Sequence, residues 1–444
     1  MAIVHELNIF SWRDFHDDAQ NLGDLERLKL VIETLPDEKL IQTLADLRGN
    51  GRNNHPIRAM WNSILAGIVY EHPSIESLRR ELSRNAQLRE MCGFNPILGA
   101  DSVPSKSAYN RFLRKLVLLE PKIREMFDCL VKELSAVIPN FGKNLAGDGK
   151  AIHSAGNPSK KTDGDKRHEE EADWGVKKYT GTDQEGKSWE KVKSWFGFRL
   201  HLIVEADVEL PISYEVTKAS TGEQSVMREM FTVLNATHPD LIQRCEHAMF
   251  DKGYDSTENV CDLWHKYGIK PIIDIRNMWK DSEKTKQLKQ SKIENVTHDY
   301  KGTIFCHCPK TGEIRQMVYG GFEEKRETLK YICPALAYGI TCKGASQCPI
   351  YLKSIRIPLK EDPRVFTPVA RSSYKWKKLY DKRTSVERVN SRIEVSFGFE
   401  RHYIRGLQKM KLRCGLALSV MLAIALGRLR QKQPELIRSL VKAA

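Results

Sequence analysis

Three carboxylates stand where a chain could present them for chemistry. In NLAGDGKAIHS, Asp148 follows an apolar run just ahead of a glycine. In EHAMFDKGYDS, the run Ala248-Met249-Phe250 stops on Asp251, and in YDKRTSVERVNSRIEVSFGFERH, Glu387 lies on a helical pattern four residues after Arg383. Each has an ordinary reading. Asp148 and Asp251 would be turn residues before Gly149 and Gly253, and Glu387 half of a surface ion pair worth little. Brought together, the three would do something else. Carboxylates a few ångströms apart raise one another's pKa, a penalty that a divalent cation removes. An oxygen-only set with room for water and phosphate suits Mg²⁺ or Mn²⁺. Two such ions roughly 3.5–4 Å apart activate an attacking oxygen and stabilise a leaving one in phosphodiester chemistry.

Convergence depends on the elements in between. From residue 141 the pattern reads strand, strand, strand, helix, strand, helix, strand. That is the order of an RNase H-like mixed α/β sheet, in which the first and fourth strands are neighbours. Asp148 is expected at the end of the first and Asp251 at the end of the fourth, with Gly253 easing the turn that follows. The helix that normally follows the fifth strand is delayed by residues 277–373, rich in Cys, Lys and Gly, before KLYDKRTSVERVNSRIEVSFGF resumes a helical period. There Arg383 and Glu387 share a helix face, and Glu394, seven residues past Glu387, returns to it. Residues 157–191 are polar and read as a solvated loop. His201 alternates with Arg199 on one strand and reads as a satisfied structural histidine.

These residues carry a resemblance. GDGK around Asp148, FDKGYDS around Asp251 and the stretch around Glu387 resemble the three acid motifs of the DDE transposases of bacterial insertion sequences. Tyr380, Arg383 and Glu387 match the YxxRxxxE spacing of one subgroup, whose signature continues to a lysine; that place holds Glu394 here, with Arg392 two residues earlier. The resemblance implies Asp148, Asp251 and Glu387 as catalytic, metal-holding residues. It also implies contact of Tyr380, Arg383 and Arg392 with double-stranded DNA, cleavage at transposon ends with strand transfer, and a homodimer pairing two ends. Two alternatives stay open: a metal-dependent nuclease on the same fold, and a domesticated DNA-binding protein that no longer cuts.

Composition is consistent with such a partner. The 444 residues carry a net charge of +14, and residues 351–430 hold 19 Lys and Arg against 6 Asp and Glu. Concentrated positive charge is the footprint of a polyphosphate partner. Tyr374, Trp376 and Tyr380 interleave with basic residues in a pattern suited to phosphate contact and base stacking, or to a helix with a solvated basic face. Residues 55–135 are helical in pattern, and Arg111, Arg114 and Lys115 would suit groove or phosphate contact, although short basic amphipathic helices are common. The division expected is a helical N-terminal DNA-binding domain (1–140), a catalytic domain (141–430) with its insertion, and a tail (431–444). No secretory signal is visible, and GLALSVMLAIALG (415–427) is too short to span a bilayer, so it reads as a core helix with no membrane partner. Ten cysteines without an export signal imply a cytoplasmic address. Cys306, Cys308, Cys333, Cys342 and Cys348, with His307, permit a zinc site, although they lack paired CxxC knuckles.

Overall fold

The computed structural model describes residues 24–48, 55–159, 168–182, 187–281, 283–289 and 293–440. The parts of the expected N-terminal domain and tail at 1–23 and 441–444 lie outside the described residues.

Among the described residues seven α-helices come first: α1 (Leu25–Thr34), α2 (Glu38–Asp46), α3 (Ile57–Val69), α4 (Ile75–Arg84), α5 (Ala86–Cys92), α6 (Lys106–Leu118) and α7 (Glu120–Val137). Their starts follow capping chemistry. Ser74, Asn85 and Ser105 each accept a hydrogen bond from a backbone N–H in the first turn of α4, α5 and α6. On α6, Arg111 and Arg114 are exposed, while Lys115 donates to Leu47 O at 2.7 Å.

The sheet follows: β1 (Asn144–His153), β2 (Asp173–Thr182), β3 (Ser188–Glu205), β4 (Leu210–Lys218), helices α8 (Glu223–Thr237) and α9 (Pro239–Arg244), β5 (His247–Phe250), α10 (Thr257–Cys261) and β6 (Lys270–Ile273). The strand order is β2-β3-β1-β5-β6, with β4 also paired to β3. β1 runs antiparallel to β3 and parallel to β5, and β5 runs parallel to β6. The fold is thus mixed α/β with an N-terminal helical region and a mixed sheet.

Two expectations need correction. First, β1 does not end at Asp148: it stays paired with β3 from Leu145↔Glu205 to His153↔Gly197. What ends there is the ladder with β5, whose last pair is Gly147↔Phe250. Second, part of the presumed loop 157–191 is strand. β2 and the first half of β3 form a ribbon whose Trp174, Val176, Trp189 and Val192 are exposed. Backbone pairing holds it rather than burial, so polarity hid it.

The insertion has its own small strands, β7 (Lys286–Gln287), β8 (Val296–His298), β9 (Ile304–His307), β10 (Ile314–Gln316), β11 (Val318–Glu323), β12 (Thr328–Ile332) and β13 (Ser354–Pro358), with helix α11 (Pro334–Tyr338). They form one sheet of four strands and one of three around a separate apolar cluster that includes Val296, Ile304, Tyr331 and Phe366.

The chain then returns as α12 (Tyr374–Asp381), α13 (Thr384–Ser396) and α14 (Leu407–Arg430). The first two, read as one helical stretch, are separated at Lys382 and Arg383. α12 packs on β5 and β6, and α13 on β1 and β3. α14 is long and apolar enough to cross a membrane by length and composition, yet it lies buried between α1, α3, α7 and β4, as a core helix does. One hydrophobic cluster runs through the N-terminal helices, α14 and the sheet.

Candidate active site

Register places the first two acids. Gly147 opposes Phe250 in the parallel ladder, so Asp148 and Asp251 follow side by side where that ladder stops. Burial pushes the Asp148 carboxyl up to about 6; Lys177 and the Gly149 N–H pull it down, while Asp251 and Glu223 push it up. Asp251 also fills its ordinary role, since its Oδ1 accepts the Gly253 N–H at 2.7 Å. The turn reading and the functional one therefore coexist.

Glu223, which no sequence motif flagged, is the third acid at this edge. α8 begins with it, and its carboxylate lies against Gly149, within β1 after Asp148, and Gly253, in the turn after Asp251. A Cβ built on Gly149 would meet Glu223 Oε1 at 2.8 Å, and one on Gly253 would meet Glu223 Oε2 at 2.8 Å and Asp251 Oδ1 at 2.7 Å. A side chain at either place would push these carboxylate ends aside. Two cations balance the acids. Arg199 Nη1 is 2.6 Å from Glu223 Oε1. Lys177 Nζ, from the ribbon, is 3.9 Å from Asp148 Oδ1 and 3.8 Å from Glu223 Oε1. Beneath them the buried Tyr254 hydroxyl has its pKa pushed well up by burial and by Glu223, Asp148 and Asp251.

Glu387 arrives differently. It sits in the first turn of α13, is half exposed, and its Oε1 pairs with Arg383 Nη2 at 2.7 Å. Burial works against the Arg383 charge, yet the hydrogen bond to Glu387 and the influence of Tyr380 and Asp148 hold its basicity above the usual range. Arg383 thus links Glu387 electrostatically to Asp148. Tyr380 is stacked on Trp376, with centroids 4.6 Å apart and planes 12° apart. Burial and the neighbouring Asp274 push the Tyr380 hydroxyl up to about 12, with Asp251 adding to the rise and Arg383 opposing it.

Arg392 is placed elsewhere. Its Nη2 donates to Glu209 O and Oε2, both at 2.9 Å, in the β3–β4 turn, so the structure does not bring it to the carboxylates. Glu394 pairs with Lys150 Nζ at 2.8 Å, two residues along β1 from Asp148. His201 Nε2 meets Thr217 Oγ1 at 3.0 Å, and burial, Arg199 and Lys177 lower its pKa to about 3. It is a neutral structural histidine.

The insertion is anchored at this edge through Asp255. Arg364 Nη1 reaches Asp255 Oδ2 at 2.7 Å, and the Arg276 N–H donates to the same oxygen at 2.9 Å. Farther out, Cys306, Cys308, Cys333, Cys342 and Cys348 line a cavity of about 20 Å³. Burial, with the neighbouring thiols Cys333, Cys348 and Cys342, pushes Cys306 up to about 11. Among the described residues no three His, Cys, Asp or Glu side chains form a metal-ready group, and nothing supports zinc at these cysteines, which by type alone permit it.

A mixed sheet that sets two aspartates at one ladder end and returns a glutamate on a late helix has the features of a phosphodiester-processing enzyme. The comparisons agree. The profile of the transposase DDE domain matches residues 153–423, more than half of the chain, and a transposase domain, DUF772, matches residues 13–115. The chain belongs to the DDE transposases, of the insertion-sequence kind, and is a DNA transposase. Among solved structures, a piggyBac transposase synaptic complex with hairpin DNA aligns over 96% of this chain and 87% of its own, at 12% identity and a TM-score of 0.30. No curated protein matches.

Proposed function

We propose that this transposase cleaves DNA at the ends of its element and joins the freed 3′-hydroxyl to target DNA, using Asp148, Asp251 and Glu387. The pairing of Asp148 and Asp251 at the end of the β1–β5 ladder carries the reading. The strand order β4-β3-β1-β5-β6, with β1 antiparallel to β3 and parallel to β5, supports an RNase H-like core interrupted before its last acid. The separate apolar cluster of the insertion supports the proposed domain division, although the N-terminal helices share their core with α14.

DDE transposases use a divalent metal such as Mg²⁺. The donor types suit one, since Asp148, Asp251 and Glu223 share the field around Tyr254 and oxygen is the hard donor that Mg²⁺ and Mn²⁺ select, but among the described residues no three of these side chains stand grouped as a metal site. Asp148 and Asp251 would hold it, with Glu387 approaching from α13. When bound, such ions lower the cost of generating an attacking oxygen and of charge on the leaving one. The chain's own groups do the rest. Lys177 and Arg199 offset negative charge that burial would otherwise make costly. Arg383 and Tyr380 would hold the DNA backbone in register through charge-assisted hydrogen bonds. A homodimer holding two ends completes the reading.

The test uses the full chain, a labelled DNA fragment carrying the element's end, and Mn²⁺ or Mg²⁺. Metal-dependent nicking that disappears in Asp148→Asn, with DNA binding kept, is the expected result. Binding without any metal-dependent nick would instead favour a protein that no longer cuts, and nicking without joining a simple nuclease.

A further inference from the structure

We propose that Glu209, in the β3–β4 turn, is a positioning residue for Glu387: it fixes where α13 sits against the strand that carries Asp148, and acts on cleavage through that helix. This role rests on the reading of Glu387 as the third acid and concerns a residue away from the carboxylate edge.

The turn's own chemistry points to the side chain. Glu209 lies in the left-handed region, at φ +60°, which glycine takes freely and asparagine more readily than glutamate. A turn alone would be served better by either. The carboxylate is nearly enclosed, 9% exposed, and gathers guanidinium groups from two parts of the chain. From α13, Arg388 Nε donates to Oε1 at 2.6 Å, and Arg392 Nη2 donates to Oε2 and to the Glu209 carbonyl oxygen, both at 2.9 Å. From beyond α14, Arg438 Nη1 reaches Oε1 at 3.4 Å. Asp207, in the same turn, accepts from Lys382 at the break between α12 and α13, and from Asn144 Nδ2, at the start of β1, at 2.8 Å.

The helix needs such ties. α13 buries Val386, Val389 and Ile393, but apolar contact is non-directional and does not fix a helix along its own axis. It also opens at Arg383 without a side-chain cap, and Glu387 lies in that first turn. Directional bonds set its register instead: Glu209 holds Arg388 and Arg392, one and five residues past Glu387, and Lys150 holds Glu394 at 2.8 Å. Both reference points belong to the sheet. Lys150 is on β1, and β3, which runs into the turn, is paired with β1 from Leu145↔Glu205 onward. The place of Glu387 is thereby set against the strand that bears Asp148, and a misplacement of about 1 Å in a catalytic group costs on the order of a hundredfold in rate. Arg392, which does not reach the carboxylates, gains a part in holding α13.

The experiment measures single-turnover nicking of bound element-end DNA by the full chain at saturating Mg²⁺, with DNA binding by anisotropy and thermal unfolding alongside. Glu209→Gln should slow nicking ten- to a hundredfold while DNA affinity stays within twofold. Glu209→Asp keeps the charge in a residue that tolerates the left-handed backbone, and should recover severalfold of the loss. Because the two groups act as one anchor, adding Arg392→Gln to Glu209→Gln should slow nicking no more than twofold further. Losses that multiply in the double variant, or no recovery with aspartate, would assign Glu209 to the fold alone and refute the positioning role. Wild-type nicking by Glu209→Gln beside an inactive Glu387→Gln would overturn it while sparing the third acid. Near-wild-type nicking by Glu387→Gln would sink the two together. Should Glu209→Gln fail to fold, the double variant Arg388→Gln, Arg392→Gln decides: an unchanged rate refutes the anchor.

Discussion

Replacing Glu387 with Gln separates the two readings of that residue most sharply. As an ordinary helix pair with Arg383, four residues away and with Glu387 half exposed, the interaction is worth about 0.3–0.5 kcal/mol. Its loss would then move the melting temperature by no more than about 2 °C. As the third catalytic acid, the same carboxylate contributes to the barrier itself. A loss of three orders of magnitude in cleavage corresponds to about 4 kcal/mol, roughly ten times the structural figure. The two expectations therefore diverge in assays that can be run on one preparation. Thermal unfolding should be close to wild type, DNA binding by anisotropy should persist, and the single-turnover rate of Mg²⁺-dependent nicking should fall at least a thousandfold. Arg383→Lys should keep a cation beside Glu387 but lose the planar fork, giving an intermediate rate. Nicking by Glu387→Gln within tenfold of wild type would refute the assignment. The carboxylate trio would then have to be Asp148, Asp251 and Glu223.

Other consequences are independent of catalysis. Burial raises the Glu205 carboxyl to about 7, although the Val208 and Asp207 N–H groups favour its charged form. The stability due to its protonated form is complete below the ordinary value near 4.5 and is lost as pH rises through about 7. Glu205→Gln should therefore be more stable than wild type at pH 8 by up to about 3 kcal/mol, the gap closing by pH 5; equal gaps in melting at both pH values would contradict this. Arg364→Ala leaves Asp255, whose side chain is fully buried, without its main counter-charge. We expect a loss of about 3 kcal/mol in denaturant unfolding and new proteolytic cuts in the insertion, and an unchanged digest would argue against that anchor. On the ribbon, Lys191 and Lys193 oppose Tyr179 and Lys177, on the face that leads to Asp148. If each meets a phosphate, replacing both with Ala should reduce the slope of log affinity against log salt by about 1.8; an unchanged slope would remove the ribbon from the DNA path.

Much of this architecture was legible in the chain because apolar periodicity reports burial directly. HAMF reads as a buried strand and is one, fully enclosed as β5, and GLALSVMLAIALG reads as a core helix and lies within α14. Where burial is weak, the signal fails. On β2 and the outer half of β3 the apolar Trp174, Val176, Trp189 and Val192 are exposed, so their alternation marks no buried face. β1 was read as stopping at Asp148 because an acid normally leaves a buried strand. In the structure that acid is tolerated mid-strand, enclosed by Lys177 and the neighbouring turns. α8 begins at Glu223, and an acid in a helix's first turn is ordinarily a partner of the helix dipole, so nothing in the sequence marks it as a site residue.

That unmarked acid bears directly on the site. Sequence order makes Asp148, Asp251 and Glu387 conspicuous, because each sits in a recognisable short motif, whereas Glu223 in TGEQS has no partner within reach along the chain. Its importance arises only from tertiary register. β4 delivers α8 to the sheet edge, α8 starts with the acid, and two glycines 104 residues apart, Gly149 and Gly253, leave room for its oxygens. Arg199 and Lys177 were equally hidden, one as an alternating strand residue and the other inside a supposed loop. The acids that can be recognised by motif are thus a subset of those that share the field at this edge. The cations that make the cluster tolerable without metal come from the strands that carry no motif at all.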